Sequence, residues 1–226
     1  MDATQPAVAV RFLAAPDTVR ARLRPILLAA LLLAAFALLS WLSGTDLSVA
    51  ATIAASPLAG FGRPACDVYS HWGPYLFYLP LLAVFALGLA RRQHLPRDIG
   101  FTYLAAQGLG AVLLTHLLKV GVARLRPHAS PDAATGWMQL LHSSFPSSHT
   151  VDVAIGAFLV LCLVRSRALQ AFALTLAVLM GIARLGLGKH YLSDVLAGLA
   201  LGAATVALLV RVYLLPRWQR SVAAGR

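Results

Sequence analysis

The sequence predicts an all-α polytopic membrane protein: six transmembrane helices in one bundle, with short interfacial helices in the outer loops. Three observations carry this. Hydrophobic residues make up 59% of the 226-residue chain and charged residues only 12%, against about a quarter charged in an ordinary soluble domain. Several apolar runs reach the roughly 20 residues that a helix rising about 1.5 Å per residue needs to cross a hydrocarbon core of about 30 Å. The basic residues gather between those runs rather than within them.

In chain order, residues 1–24 form a mixed segment whose Arg11, Arg20, Arg22 and Arg24 precede the first apolar run, Pro25 to about Ser43. That layout is a signal anchor. A cleaved signal peptide shares the order, but its apolar core usually spans only about 7–15 residues. Residues 44–71 form an outer loop whose small-residue portion, Leu47 to Gly60, suits a short helix lying in the interface. The second span runs from about Trp72 to Ala90, with Trp72, Tyr75 and Tyr78 as an aromatic belt.

The polar string RRQHLPRD ends that span, and the third covers about Ile99 to Val120. A long loop containing Pro127, Pro131, Gly136 and Pro146 leads to the fourth, Thr150 to Val164. Arg165, Ser166 and Arg167 turn the chain into the fifth, about Ala168 to Leu185, and GLGK into the sixth, about Tyr191 to Leu215. The expected organisation is a cytoplasmic N-terminal segment (1–24), a membrane domain (25–215) and a cytoplasmic tail (216–226). No internal repeat interrupts it.

Six spans put both termini on one side. The termini, residues 91–98 and residues 165–167 hold 13 of the 19 Lys and Arg, which marks that side as cytoplasmic. The expected location is a bacterial inner (plasma) membrane. Of the other six, all but Arg63 belong to three polar clusters on the opposite, outer face: Lys119 to Pro127, Phe145 to Thr150, and Ala183 to Asp194. A net charge of +11 would suit nucleic acid if it formed one soluble, aromatic-interleaved patch, but here it is dispersed among apolar spans. Nucleic acid is therefore not an expected partner, and no obligate protein partner is indicated. Cys66 in a loop and Cys162 in a span are poorly placed to pair and match no metal-ligand spacing.

The clusters carry the chemistry. Lys119 ends the third span and Arg126 follows seven residues later beside Pro127, holding two cations at one interface. Arg offers a planar fork to phosphate oxygens, and Lys a mobile point charge. Pro146, Ser147, Ser148 and His149 open the fourth span, so hydroxyls and unpaired backbone N–H groups sit at a helix N-terminus, where anions bind. His149 can protonate a leaving oxygen. His190 and Asp194, four apart at the start of the sixth span, share a helix face, the geometry of a nucleophile and its orienter. Arg184 joins His190 through a turn containing Gly186 and Gly188.

Each feature has a plainer reading. Lys119 and Arg126 can meet lipid headgroups, Ser147 and Ser148 can simply cap a helix, and His190 with Asp194 can tie two helices together. His149, His190 and Asp194 can also be read as a two-histidine, one-carboxylate metal site. Three nearby cations oppose a metal and favour a dianion, so neither a metal nor any other cofactor is expected.

Lys, six residues, Arg-Pro; then Pro-Ser-x-His; then Arg, five residues, His, three residues, Asp: this order resembles the type 2 phosphatidic acid phosphatase superfamily, in its integral-membrane lipid phosphatase branch. The resemblance implies that Lys119, Arg126 and Arg184 clasp a phosphate together with Ser147 and the backbone N–H groups of the turn from Ser147 through Ser148 to His149. It implies further that His190 attacks to form a phosphohistidine, that Asp194 orients it, and that His149 protonates the departing oxygen, without a metal. Two positions depart from the family pattern: Ser148 stands where Gly is common, and Ala183 where Ser is common. The second loses one hydroxyl donor.

The expected activity is removal of a terminal phosphate from a lipid phosphate or diphosphate, of the undecaprenyl diphosphate, phosphatidylglycerophosphate, phosphatidate or lipid A class. Two alternatives stay open: transfer of the phosphate to a lipid acceptor, and a non-catalytic headgroup binder or anion carrier. His116 and Asp152 are candidates for supporting polarity, Lys189 for headgroup contact, and Trp137, Met138 and His142 for the lipid entrance.

Overall fold

The computed structural model describes residues 12–127 and 143–224; Trp137, Met138 and His142 lie outside them. The first helix, α1 (Pro16–Leu42), starts with proline in its first turn and Asp17 beside it, both suited to a helix N-terminus. It begins nine residues before the apolar run at Pro25, because hydropathy marks what faces lipid and not where a helix starts. Gly44, in the left-handed region at φ 74°, turns the chain into α2 (Thr45–Ala54). Then come α3 (Arg63–Trp72) and α4 (Tyr75–Ala90).

The next helical stretch is α5 (His94–Ala106), a π-helical segment (Gln107–Leu114) and α6 (Thr115–Val122). Ala123, left-handed at φ 48°, ends it. After the polar loop come α7 (Ser148–Leu163), α8 (Arg167–Gly186) and α9 (Leu192–Leu209), the last continuing through a π-helical turn (Val210–Leu214) into α10 (Leu215–Ala223). The described part of the expected tail is therefore helical, and its Trp218 is buried.

Among the described residues, five stretches are long and apolar enough to cross a membrane: Pro16–Leu42, Arg63–Ala90, His94–Val122, Arg167–Gly186 and Leu192–Ala223. The expected fourth span is shorter than these. Its helix α7 has 16 residues, about 24 Å at ~1.5 Å per residue, which falls short of a core of about 30 Å. It is also the centre of the fold. Val151, Val153, Ala154, Ile155 and Ala157 have no exposed surface, since α7 packs between α8 and α9.

Small residues let those backbones close up. A Cβ on Gly202 of α9 would lie 2.6 Å from that of Ala154, and one on Gly198 would lie 3.0 Å from the Ser147 carbonyl oxygen. The outer helices instead turn Leu31, Phe36, Leu42, Leu79 and Phe172 outward, as a lipid-facing surface requires.

One end of the bundle holds Arg22, Arg97 and Arg217, which are among the described basic residues expected to be cytoplasmic. The Arg22 guanidinium donates to the carbonyls of Leu161, Cys162 and Val164 at 3.1, 3.0 and 2.8 Å and, with Ala14 N–H on the Leu163 carbonyl and Gln170 on that of Val164, caps the C-terminus of α7. Asp98 pairs with Arg217 at 3.1 Å and Arg97 at 3.2 Å. The three polar clusters gather at the other end. Two expectations are corrected here. Cys66 lies on α3 and is buried. Tyr78 turns inward to donate to the Asp152 carboxylate, because a buried carboxylate needs a donor; only Trp72 and Tyr75 remain as an exposed aromatic pair, 5.5 Å apart.

Candidate active site

Four segments build the site: the end of α6 with the strand-like Arg124–Pro127, the turn before α7, the end of α8, and the start of α9. The backbones of Arg124–Leu125 and Ser143–Ser144 pair antiparallel, with Ser144 N–H donating to the Arg124 carbonyl at 2.7 Å. This pairing aims two serine carbonyls inward. The Ser143 carbonyl accepts from Lys119 Nζ at 2.8 Å, and the Ser144 carbonyl faces His190 Nδ1 at 2.8 Å.

His190 is 3% exposed. Its Nε2 lies 3.3 Å from Arg184 Nη2, and a guanidinium can only donate. Nε2 therefore carries the lone pair, and Nδ1 carries the proton that goes to the Ser144 carbonyl. Burial pushes the His190 pKa down to about 4, with the Arg184 charge acting the same way and Asp194 acting against both. Burial and the Arg184 charge both favour the neutral imidazole, the form in which a histidine can act as a nucleophile.

His190 and Asp194 do not share a helix face as the spacing suggested. Tyr191 is extended and α9 starts at Leu192, so His190 precedes the helix. Asp194 Oδ2 is 3.6 Å from His190 Nδ1, and it accepts a hydrogen bond from Tyr191 N–H at 2.8 Å. The direct acceptor for Nδ1–H is the Ser144 carbonyl, and Asp194 stands behind as a charge. The turn from α8 does bring Arg184 and His190 together, with Gly188 in the left-handed region at φ 64° that glycine tolerates freely.

Arg184, 4% exposed, also donates from Nη1 to Ser70 Oγ of α3 at 2.7 Å. That hydroxyl stands where Ala183 offers none; Ala183 packs instead against Cys66 and Leu187. The Nε atoms of Arg184 and Arg126 are buried donors with no partner among the described residues. Burial depresses the Arg126 pKa, and the Asp194 charge offsets part of this. Lys119 lies within electrostatic range of Arg126, Arg184 and Asp194, so three cations converge with two guanidinium N–H groups unpaired. A dianion answers both conditions.

At the start of α7, Ser147 is fully buried. Its N–H donates to the Asp194 backbone carbonyl at 3.0 Å, and its Oγ accepts from Thr150 Oγ1 at 2.9 Å. The Ser147 N–H expected to face phosphate is thus committed elsewhere, whereas the N–H groups of Ser148 and His149, in the first helical turn, have no acceptor four residues back. His149 is half-buried, within electrostatic range of Arg184, His190 and Arg126. It lines a cleft of about 450 Å³ with Tyr78, Leu82, Leu104, Ala111 and Val112; Leu82, Leu104 and Val112 are exposed on the lipid-facing surface.

Of the residues with open roles, His116 is exposed, with its Nδ1 2.6 Å from the Val112 carbonyl, away from the site. Asp152 is tied to Tyr78. Lys189 meets Asp67 at 4.0 Å. Among the described residues, no three of His, Cys, Asp and Glu gather closely enough to hold a metal ion.

Residues that pattern reading did not assign complete the geometry. Arg124 lies between the rings of Trp41 and Tyr191, 4.4 and 3.9 Å from their centroids, and joins Asp194 Oδ1 at 3.1 Å to Asp46 Oδ2 at 2.8 Å. The available signal is that Asp46 is the only charged residue between Arg24 and Arg63, since an isolated charge among membrane helices rarely lacks a partner.

A family model described as the PAP2 superfamily matches residues 97–218, more than half of the chain. The chain belongs to this superfamily. Its matched relatives include phosphatidylglycerophosphatase B of Bacillus subtilis (strain 168), 32% identical over 59% of this chain and 66% of that protein. Another is lipid A 1-phosphatase of Rhizobium johnstonii, 34% identical over 65% of this chain and 61% of that one. The PAP2 chain spans less than two thirds of either relative's length. A crystal structure of a transmembrane PAP2-type phosphatidylglycerolphosphate phosphatase from Bacillus subtilis shares the fold. It has a TM-score of 0.59 and 24% identity, over 83% of this PAP2 chain and 93% of that one.

Proposed function

We propose that this protein is a membrane phosphatase that hydrolyses the terminal phosphate of a lipid phosphate or diphosphate through a phosphohistidine. The observation that carries this is the lone pair of His190 Nε2, fixed beside Arg184 among three cations. Lys119, Arg126 and Arg184 hold the phosphate oxygens, assisted by Ser147 Oγ and the N–H groups of Ser148 and His149. Nε2 attacks phosphorus in line; the bond to the lipid oxygen breaks, and a protonated His149 gives its proton to that oxygen. Asp194 stabilises the positive charge that develops on His190. His149 then takes a proton from water as the water oxygen attacks phosphorus, the P–N bond breaks, and phosphate leaves with His190 restored. The cleft behind His149 suits the lipid part, because the leaving group must lie on the side of its acid. No metal takes part.

Substrates of the undecaprenyl diphosphate, phosphatidylglycerophosphate, phosphatidate and lipid A classes fit this chemistry, and the names of the relatives point to two of them. Phosphate release from such a panel in detergent with EDTA is expected from the wild type. No release from any lipid by folded protein would overturn the reading, as would activity that EDTA removes and a divalent ion restores.

In the same reading α7 completes a six-span topology in a bacterial inner membrane, with both termini cytoplasmic and the site facing outward. The clustering of basic residues at the far end supports it. Asp67, 71% exposed at the site end, provides a test on a Cys66→Ser background. Asp67→Cys in sealed inside-out vesicles is expected to resist a membrane-impermeant maleimide until detergent is added. Labelling before detergent would reverse the orientation.

A further inference from the structure

Asp46 lies on α2, far in sequence from the three polar clusters, and is 1% exposed. Its carboxylate is fully used. Oδ1 accepts from Ser40 Oγ at 2.8 Å and from Ser193 N–H at 2.9 Å. Oδ2 accepts from Arg124 Nη2 at 2.8 Å and from Ser193 Oγ. These fill the roughly four acceptor positions that a carboxylate has. Burial alone would push its pKa up; the bonds from Ser193, Arg124 and Ser40 outweigh that and hold it below the ordinary carboxylate range.

The placement has a mechanical meaning. Ser193 is the second residue of α9, so its N–H is one of the first-turn donors left without a helical acceptor. The N-cap residue Tyr191 has no short side-chain oxygen of the kind that normally fills this role. Asp46 supplies the oxygen from another helix. Its second arm holds Arg124, whose Nη1 donates to Ser193 Oγ at 2.6 Å and to Asp194 Oδ1 at 3.1 Å. Asp46, Arg124 and Asp194 thereby form a carboxylate–guanidinium–carboxylate row with one net negative charge behind His190. The charged groups facing His190 from the other elements are Lys119 of α6 and Arg184 of α8, with His149 of α7 also in range.

We infer that Asp46 is a positioning residue for phosphoryl transfer: it clamps the first turn of α9 and, through Arg124, fixes Asp194 behind the attacking imidazole. The inference rests on the phosphatase reading. Asp46 touches neither His190 nor the phosphate, so its removal leaves the binding cations in place. Its loss frees the start of α9 and cuts the negative charge that balances a phosphorylated His190.

The test is steady-state hydrolysis by Asp46→Asn, with kcat normalised to the active centres counted by phosphohistidine trapped on rapid alkaline quench, which preserves the acid-labile P–N bond. Expected is a fall in kcat per centre of about 10- to 100-fold, the range seen when a partner that orients a metal-bound side chain is removed, with KM within about threefold of wild type. Ser193→Ala, which removes one donor to Asp46 and keeps the N–H, is expected to show the same split more weakly. It decides the matter if Asp46→Asn does not fold. A kcat per centre equal to wild type in the folded variant overturns the inference, even if the thermal midpoint falls, because the contact would then be structural only. A loss of kcat/KM carried mainly by a rise in KM overturns it too. Wild-type protein that releases no phosphate removes the phosphatase reading and this inference with it, and that failure is distinguishable from an active wild type matched by its variants.

Discussion

His190→Ala is expected to lower lipid-phosphate hydrolysis by at least about 10³-fold, since loss of a nucleophile in comparable hydrolytic centres costs on the order of 10⁶ in kcat. Binding of the phosphorylated lipid is expected to stay within a few fold. In the proposed mechanism the two effects separate because the imidazole forms the bond to phosphorus, while Lys119, Arg126 and Arg184 hold its oxygens. Alanine also removes the acceptor of the Arg184 Nη2 hydrogen bond, which leaves that guanidinium freer to meet phosphate. Two measurements are needed: phosphate release, and equilibrium binding of the same lipid in detergent. Release above a tenth of wild type would show that His190 is not the nucleophile. Unimpaired function with lost activity in the arginine variants would instead favour a protein that only binds headgroups.

Arg184→Lys is expected to reduce kcat/KM by about 10²- to 10³-fold, the typical cost of one charge-stabilising donor in a water-excluded site. Three duties meet on this side chain. Nη1 is anchored by Ser70 at 2.7 Å, Nη2 holds the His190 lone pair in place at 3.3 Å, and the buried Nε has no partner among the described residues. Lysine keeps the charge and loses the fork, so it cannot reach Ser70, His190 and a phosphate oxygen together. The defect is expected in kcat as well as KM, because the geometry of the nucleophile depends on the same group. Kinetics within about threefold of wild type would show that charge alone suffices, and would remove the argument from the unpaired Nε.

Much of this molecule was legible in its sequence because the relevant physics is local. Apolar runs announce lipid-facing helices, and the clusters around Lys119, Arg126, His149, Arg184 and His190 announce themselves by placing polar groups at helix ends in an apolar chain. Legibility failed where a boundary or a partner depends on something distant. Helix α1 starts at Pro16, ahead of its apolar run. Helix α7 stops after Leu163 as the chain turns extended at Val164, where Arg22 caps it from another helix. Tyr78 has the position of a belt residue, but its hydroxyl goes to the Asp152 carboxylate.

The site divides in the same way. The residues that the fold gathers at one end are marked by short spacings: a cation at the end of a span, a serine and histidine opening a helix, an arginine and a histidine on either side of a glycine turn. The identity of each hydrogen-bond partner is not. The acceptor for His190 Nδ1–H is the Ser144 carbonyl, 46 residues away. The hydroxyl on Arg184 comes from Ser70, 114 residues away, and the carboxylate on Ser193 comes from Asp46, 147 residues away. Composition and periodicity report what one segment buries or exposes. Only the packed chain decides which buried donor meets which acceptor, because that pairing is set by the need to satisfy every polar group removed from water, wherever in the sequence its partner lies.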